Sequence, residues 1–285
     1  RRMELPYETV LGGFSGGSWY GAAAIYRDWL EHSGMIRGAK LEDNPRVPDW
    51  LKDAAPIVVT YPVRAQSDSD TNFAPNCYFP YTAALPVLED IARDAESPVL
   101  ALLMHWEGTA PWAPPYVWPP FGGMEDFLAF VRALHAKGNL AGVYASGVAY
   151  TTQSYREKTY NCYTEFAKER VFNYVTGAPE GGPALNGACV GWIRDGYDLC
   201  PACGWVRDRV VKEIKKVLPS GVDYFQYFDQ NMGGAPCWCY ARNHGHPPAP
   251  GRWMTDAMNA LYRDAQRAGD DAGRRVMFGT EASAS

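Results

Sequence analysis

Five short apolar runs, separated by segments with helical periodicity, constrain the fold of this chain more than any other feature. Strands that are apolar throughout are buried on both faces, and their alternation with helices is typical of parallel βαβ units. The pattern therefore predicts an α/β protein with a parallel sheet. The runs span residues 56–63, 98–108, 139–148, 222–230 and 274–282.

The number of runs bears on the choice between α/β architectures. No GxGxxG motif follows a run, so a dinucleotide-binding fold has little support. A TIM-type (β/α) barrel has eight strands. We therefore predict an incomplete barrel of about five βα units, with a doubly wound open sheet as the alternative. Residues 1–53 are predicted to form an N-terminal helix and a linker, and residues 54–285 the partial barrel, with an insertion at about 150–199.

Composition excludes several classes of partner. The chain has 285 residues, 47% of them hydrophobic, which is enough for one large core. A formal charge of −5 with interspersed signs argues against a nucleic-acid partner. No run reaches the roughly 18 apolar residues of a membrane span, so we expect a soluble protein with no membrane partner.

Seven cysteines do not distinguish an extracellular, periplasmic or cytoplasmic location. The chain begins Arg-Arg-Met and stops soon after a predicted strand, so we expect it to belong to a longer chain with further domains.

Two successive apolar runs end in a carboxylate, Asp229 and Glu281. In barrels the chemistry lies where the strands end. Neighbouring strands are about 4.8 Å apart, so such carboxyls can approach the roughly 5–5.5 Å separation of a retaining glycosidase. Asp229 is then the predicted nucleophile and Glu281 the predicted acid/base. The alternatives are an Asx-type loop cap for Asp229 and a solvated side chain for Glu281.

Aromatic and polar residues at the other run ends predict a sugar-binding site, because aromatic rings stack on the apolar faces of pyranoses. Glu107 also follows the second run, beside His105 and Trp106. For all of these residues the alternative is packing in the core or a hydrogen bond to the backbone. The predicted sugar-binding residues at run ends are Tyr61, His105, Trp106, Tyr144 and Gln230.

The segment His244-Gly-His246 lies in a loop rich in Pro and Gly. We predict that both histidines bind sugar hydroxyls. A metal site of the kind found in metal-dependent hydrolases and a purely structural role are the alternatives.

Two cysteine pairs form a second motif, Cys200-Pro-Ala-Cys203 and Cys237-Trp-Cys239. Four thiolates that meet across the insertion would bind a structural Zn²⁺ ion. A local disulfide and unrelated buried thiols are the alternatives. The predicted hydrolysis requires no cofactor.

A longer stretch carries a family resemblance. Residues 198–231, DLCPACGWVRDRVVKEIKKVLPSGVDYFQYFDQN, resemble the segment of retaining α-glycosidase barrels that leads into the fourth strand. An Asp after strand four and a Glu after strand five is the arrangement of the α-amylase superfamily and the related endo-α-N-acetylgalactosaminidases. By this resemblance Asp229 corresponds to the nucleophile and Glu281 to the acid/base, and the linkage is α.

Two further segments, SWYGAAAIYRDWL and NHGHPPAPGRWM, resemble a glycosidase-like barrel family in which a β-sandwich precedes the barrel. The chain differs from that family because it has neither the sandwich nor the last strands. Taken together, the sequence predicts a retaining glycoside hydrolase with a carbohydrate substrate, such as a polysaccharide. The alternatives are a non-catalytic carbohydrate-binding or structural barrel fragment, and a metal-dependent hydrolase that uses His244 and His246.

Overall fold

The computed structural model describes residues 11–13, 16–34, 40–53, 55–66, 72–145, 147–165, 193–228 and 238–280. The chain divides into two compact units, residues 1–47 and 48–285. In the first unit, helix α1 spans Trp19–His32, and Ser18 occupies its N-cap position. Most of the aromatic side chains of α1 are exposed. In the described ranges, no helix combines the length and the apolar character that a membrane crossing requires.

The second unit alternates strands and helices along the chain. Its helices are α2 (Asp49–Lys52), α3 (Leu85–Asp94), α4 (Met124–Ala136), α5 (Gly204–Val217) and α6 (Trp253–Asp271). Its strands are β1 (Ile57–Pro62), β2 (Val99–Met104), β3 (Leu140–Tyr144), β4 (Ala149–Ser154), β5 (Arg194–Asp198), β6 (Tyr224–Phe228) and β7 (Met277–Thr280). Short 3₁₀ helices, Tyr81–Ala84 and Leu218–Ser220, precede α3 and follow α5.

The five predicted strands form one sheet in the order β1-β2-β3-β6-β7. Every neighbouring pair in this sheet is parallel. The α/β class and the parallel sheet are therefore confirmed. A doubly wound sheet reverses its strand order at a switch point. Among the described strands the order follows the chain without a reversal, so the doubly wound alternative loses its support.

The core lies between this sheet and the helices that connect its strands. Five of the six residues of β2 are buried, as expected for a strand covered on both faces. Helix α5 buries Val206, Val210 and Ile214, which recur every four residues and so share one face. Each such side chain stabilises the fold by about 1.5–3 kcal/mol when it is fully buried.

The predicted insertion begins and ends in a second, small sheet. Strands β4 and β5 pair antiparallel, with Ala149 opposite Asp198 and Ser154 opposite Arg194. Arg194 is fully buried and its Nη1 donates to the hydroxyl of Thr151 at 3.0 Å. A Cβ at Gly196 would overlap the same Nη1, so a side chain at this position would displace the guanidinium.

Candidate functional site

The two predicted catalytic residues directly follow strands β6 and β7 in the chain. Phe228 and Thr280, the last residues of these strands, are register partners in the parallel sheet. The next residue after each is a carboxylate, Asp229 and Glu281. These two residues, together with Gln230, lie outside the described residues. The structure therefore defines the strand ends that lead to them and leaves their side chains undescribed.

The end of β2 carries two of the predicted sugar-binding residues, and both are buried. His105 has a φ of 53° and its Nδ1–H donates to the carbonyl oxygen of Arg64 at 2.9 Å. Trp106 is 0% exposed, and its indole N–H donates to the carbonyl oxygen of Tyr144 at 2.5 Å. These contacts are typical of residues that hold a loop against a strand. Their role in sugar binding stays a prediction.

The two predicted tyrosines lie at the ends of β1 and β3, the two strands that flank β2, in different settings. Tyr61, in β1, is buried, and its hydroxyl has no hydrogen-bond partner among the residues that the structure describes. Burial raises the pKa of this hydroxyl well above its usual range. Tyr144, at the end of β3, is half-buried and contributes its backbone carbonyl to Trp106.

Glu107 is a buried acid for which no role is predicted from the sequence. It is 1% exposed, and burial raises the pKa of its carboxyl from 4.5 to about 7. The backbone N–H groups of Glu107 and Trp112 and the charges of Arg64 and Arg194 oppose this rise in pKa. Its sequence signal is the one that singled out Asp229, a carboxylate directly after a buried run.

Arg64 links the ends of β1 and β2 through the backbone around Glu107. Its Nε donates to the carbonyl oxygen of His105 at 2.9 Å, and its Nη2 donates to that of Glu107 at 2.6 Å. One oxygen of the Glu107 carboxyl, Oε2, has no hydrogen-bond partner among the described residues. The end of β2 is thus a buried polar region in which the guanidinium is bonded mainly to backbone groups.

A different arrangement joins the cysteine motif to the histidine motif. Four buried residues, one from the segment between β5 and α5 and three from the loop between β6 and α6, direct their ligand atoms at one another. One atom from each lies within 4.8 Å of the atoms of the other three. We call this group the Cys–His cluster; it consists of Cys200, Cys239, His244 and His246.

Of the other two predicted zinc ligands, Cys203 is described and is not part of this group. Cys203 is half-buried at the N-cap of α5, and its N–H donates to the carbonyl oxygen of Cys200 at 3.0 Å. Cys237 lies outside the described residues. Sequence reasoning thus named all four members of the cluster, but it divided them between a cysteine site and a histidine site.

A comparison with protein families decides the classification of the chain. Residues 3–285 match the model of a family described as a domain of unknown function, DUF6259. The chain belongs to this family. No curated protein matches this DUF6259 domain.

Solved structures share the fold of the DUF6259 domain at low sequence identity. An α-N-acetylgalactosaminidase, NagBb from Bifidobacterium bifidum in complex with GalNAc, has a TM-score of 0.63 at 15% identity over 94% of this chain and 41% of that chain. A GH31 family sulfoquinovosidase from E. rectale has a TM-score of 0.54 at 15% identity over 91% and 34%. A trehalose-6-phosphate hydrolase from Bacillus licheniformis has a TM-score of 0.50 at 15% identity over 84% and 45%. The fold is therefore similar to that of glycoside hydrolases, and the chain spans less than half the length of these structures.

Proposed function

We propose that this DUF6259 domain is the partial TIM-type barrel of a retaining glycoside hydrolase. The sequential parallel order of β1, β2, β3, β6 and β7 supports this architecture, because a (β/α) barrel winds in one direction. The likeness of its fold to three glycoside-cleaving enzymes supports the reaction class. The proposed substrate is a carbohydrate. The α linkage and the kinship with endo-α-N-acetylgalactosaminidases and the α-amylase superfamily rest on the sequence resemblance.

The register of β6 and β7 carries the proposal. Phe228 and Thr280 are partners, so the chain enters Asp229 and Glu281 from the same level of two neighbouring strands. Parallel neighbours are about 4.8 Å apart. The register of β6 against β7 shifts between Phe225 and Phe228, so a common face for the two carboxyls is part of the proposal. Two carboxyls that start from this arrangement suit the roughly 5–5.5 Å gap of a retaining enzyme better than the 6.5–9.5 Å gap of an inverting enzyme.

The proposed reaction has two steps. Asp229 attacks the anomeric carbon, and the glycosidic bond breaks as Glu281 gives its proton to the leaving oxygen. Glu281, now a carboxylate, takes a proton from a water molecule whose oxygen attacks the anomeric carbon. The bond to Asp229 breaks, so both carboxyls return to their starting forms and the anomeric configuration is retained.

The test begins with the purified chain and a panel of aryl α- and β-glycosides. We expect Asp229→Asn to abolish turnover, because an amide does not replace the carboxylate nucleophile. The matched control is Asp256→Asn, which changes an exposed carboxylate on α6 and is expected to keep wild-type turnover. A fluorinated glycosyl fluoride that accumulates the covalent intermediate should label the peptide that contains Asp229.

The dependence of the reaction on the leaving group distinguishes the roles of the two carboxylates. Glu281→Gln should lose turnover of phenyl glycosides, which need a protonated leaving oxygen, and should still form the covalent intermediate from dinitrophenyl glycosides. Asp229→Asn should lose both. Inversion of configuration in the first-formed product, measured by NMR, would contradict the mechanism. Sugar binding without turnover would instead identify a carbohydrate-binding barrel.

A further inference from the structure

We propose that the Cys–His cluster binds one Zn²⁺ ion as a closed structural site. The proposal does not depend on the glycosidase reaction. Its starting point is convergence: a cysteine ahead of α5 meets a cysteine and two histidines that lie 39 to 46 positions further along the chain. Cys200 and Cys239 are fully buried and pack in a small apolar cluster with Ala241.

The interatomic distances match those of a tetrahedral zinc site. With Zn–S bonds of about 2.3 Å and Zn–N bonds of about 2.0–2.1 Å, tetrahedral geometry places sulfur and nitrogen about 3.5–3.6 Å apart. In the cluster, Cys200 Sγ lies 3.4 Å from His246 Nε2, and Cys239 Sγ lies 3.4 Å from His244 Nδ1. All four ligand atoms lie within 4.8 Å of one another, and the longest edge expected for the tetrahedron, between the two sulfurs, is about 3.8 Å, so small side-chain rotations bring the four atoms onto one ion.

The imidazole of His246 is already oriented for a metal. Its Nδ1 lies 2.7 Å from the carbonyl oxygen of Pro247, which accepts a hydrogen bond and so requires a proton on Nδ1. Nε2 then presents its lone pair to Cys200. Metal-binding histidines commonly donate their second N–H to a carbonyl in this way. The indole of Trp253 stacks on the same ring at 3.6 Å and 8°, which holds its plane.

The loop between the two histidines depends on a glycine. Gly245 has a φ of 78°, in the left-handed region that favours glycine. The ring centroids of His244 and His246 are 5.9 Å apart at an angle of 67°, so the two rings approach one point from different directions. This geometry suits two corners of a tetrahedron.

The ligand set identifies both the metal and the role. Two thiolates balance the charge of Zn²⁺, and mixed sulfur and nitrogen ligands in a tetrahedron favour zinc over magnesium or calcium. Four protein ligands leave no coordination position for a reactive water, whereas a catalytic zinc keeps one open. The cluster therefore favours a structural zinc over a metal-dependent hydrolase based on His244 and His246. The ion would tie the β6–α6 loop, which follows Asp229 in the chain, to the start of α5.

The first experiment measures metal in the intact chain. Protein expressed with added zinc and then passed through gel filtration should contain about one zinc per chain by elemental analysis. X-ray absorption should give two sulfur and two nitrogen neighbours. Cys239→Ser and His244→Ala should each lose most of the zinc. Cys203→Ser, the matched control from the same CxxC motif, should keep it.

A second set of variants distinguishes loss of zinc binding from misfolding of the variant. His246→Cys exchanges one ligand type for another and should keep zinc, with a spectrum that changes to three sulfurs and one nitrogen. In denaturant unfolding, a chelator should lower the midpoint for the wild type and for Cys203→Ser, and should have no effect on Cys239→Ser.

Three results would overturn the proposal. One is a chain that binds no zinc at any added concentration. Another is a Cys200–Cys239 disulfide, detected by mass spectrometry of alkylated protein. The third is loss of zinc in Cys203→Ser together with its retention in His244→Ala, which would assign the ion to the four cysteines instead.

Discussion

The end of β2 and the Cys–His cluster are both buried and both rich in polar atoms, but their polar groups have different partners. At the end of β2, Arg64 and His105 each bond to the other's backbone carbonyl, and Glu107 accepts N–H groups from the backbone. In the cluster, the sulfur and nitrogen atoms face one another. Backbone partners hold a loop in place and occupy most of its polar groups, whereas mutually facing ligand atoms suit a shared metal ion. The partners of buried polar groups therefore separate a structural region from a binding site.

The largest expected effect tests the structural assignment of the β2 end. Trp106→Ala removes a fully buried indole and its hydrogen bond to Tyr144, and should lower the free energy of unfolding by about 3–5 kcal/mol. Urea unfolding with a constant m-value measures this loss. Trp238→Ala is the control, because its side chain is 61% exposed, and it should change stability by less than about 0.5 kcal/mol. A small loss in Trp106→Ala would mean that the ring is free to serve a ligand.

A second prediction uses the raised pKa of Glu107, from 4.5 to about 7. The folded state holds a proton that the unfolded state releases, so this contribution to stability is complete below about pH 4.5 and is lost as the pH rises through 7. The shift of 7 − 4.5 = 2.5 units corresponds to a fall of about 3 kcal/mol in the free energy of unfolding across that window.

The corresponding experiment compares pH profiles of stability. Glu107→Gln cannot titrate, so its unfolding free energy should lack this fall between pH 4.5 and 7. Glu42→Gln, at an exposed position, is the control and should follow the wild-type profile. Parallel profiles for Glu107→Gln and the wild type would show that this carboxyl titrates normally and that the β2 end is open to water.

The smallest expected effect concerns the ring that supports His246. Trp253→Leu removes the stacked indole while all four proposed ligands remain, so zinc affinity should fall by about 10-fold, or roughly 1.4 kcal/mol. Competition with a chromogenic chelator measures the affinity. Trp253→Phe keeps a ring against the imidazole and should bind zinc nearly as well as the wild type. Equal affinity in all three proteins would show that the stacking does not orient the ligand.

Most of the secondary structure was predictable from the sequence, because short-range patterns encode it. The apolar spacing of residues 253–270 predicts a helix, and the structure has one over Trp253–Asp271. Pro86 predicts a kink or a late start in the helix that follows β1, and a 3₁₀ turn precedes that helix, Leu85–Asp94. The second apolar run was predicted to extend to residue 108, but β2 ends at Met104. His105 leaves the extended conformation with a φ of 53°, which the apolar character of the run does not reveal.

The candidate sites were only partly predictable. Asp229, Glu281 and Glu107 share a residue type and a position after an apolar run, but the sequence predicted a role only for Asp229 and Glu281. Of the three, the structure describes Glu107, which is buried with backbone partners. The pairing of cysteine with histidine was not predicted, because the CxxC and CxC spacings pointed to four sulfurs. The spacing of cysteines in the sequence shows which ligands are close along the chain. It does not show which distant segment a long loop contacts.

By itself, the sequence determined the α/β class, the five parallel strands and the identity of every residue in the Cys–His cluster. Apolar periodicity suffices for the first two, since each strand or helix is specified by residues within a few positions of one another. Only the tertiary structure decided that Phe228 and Thr280 are partners and that Cys200 meets His246. Both contacts join residues that are distant in the chain: the first depends on the register of two strands, and the second on the packing of residues 239–246 against the segment before α5, which no pattern of neighbouring residues encodes.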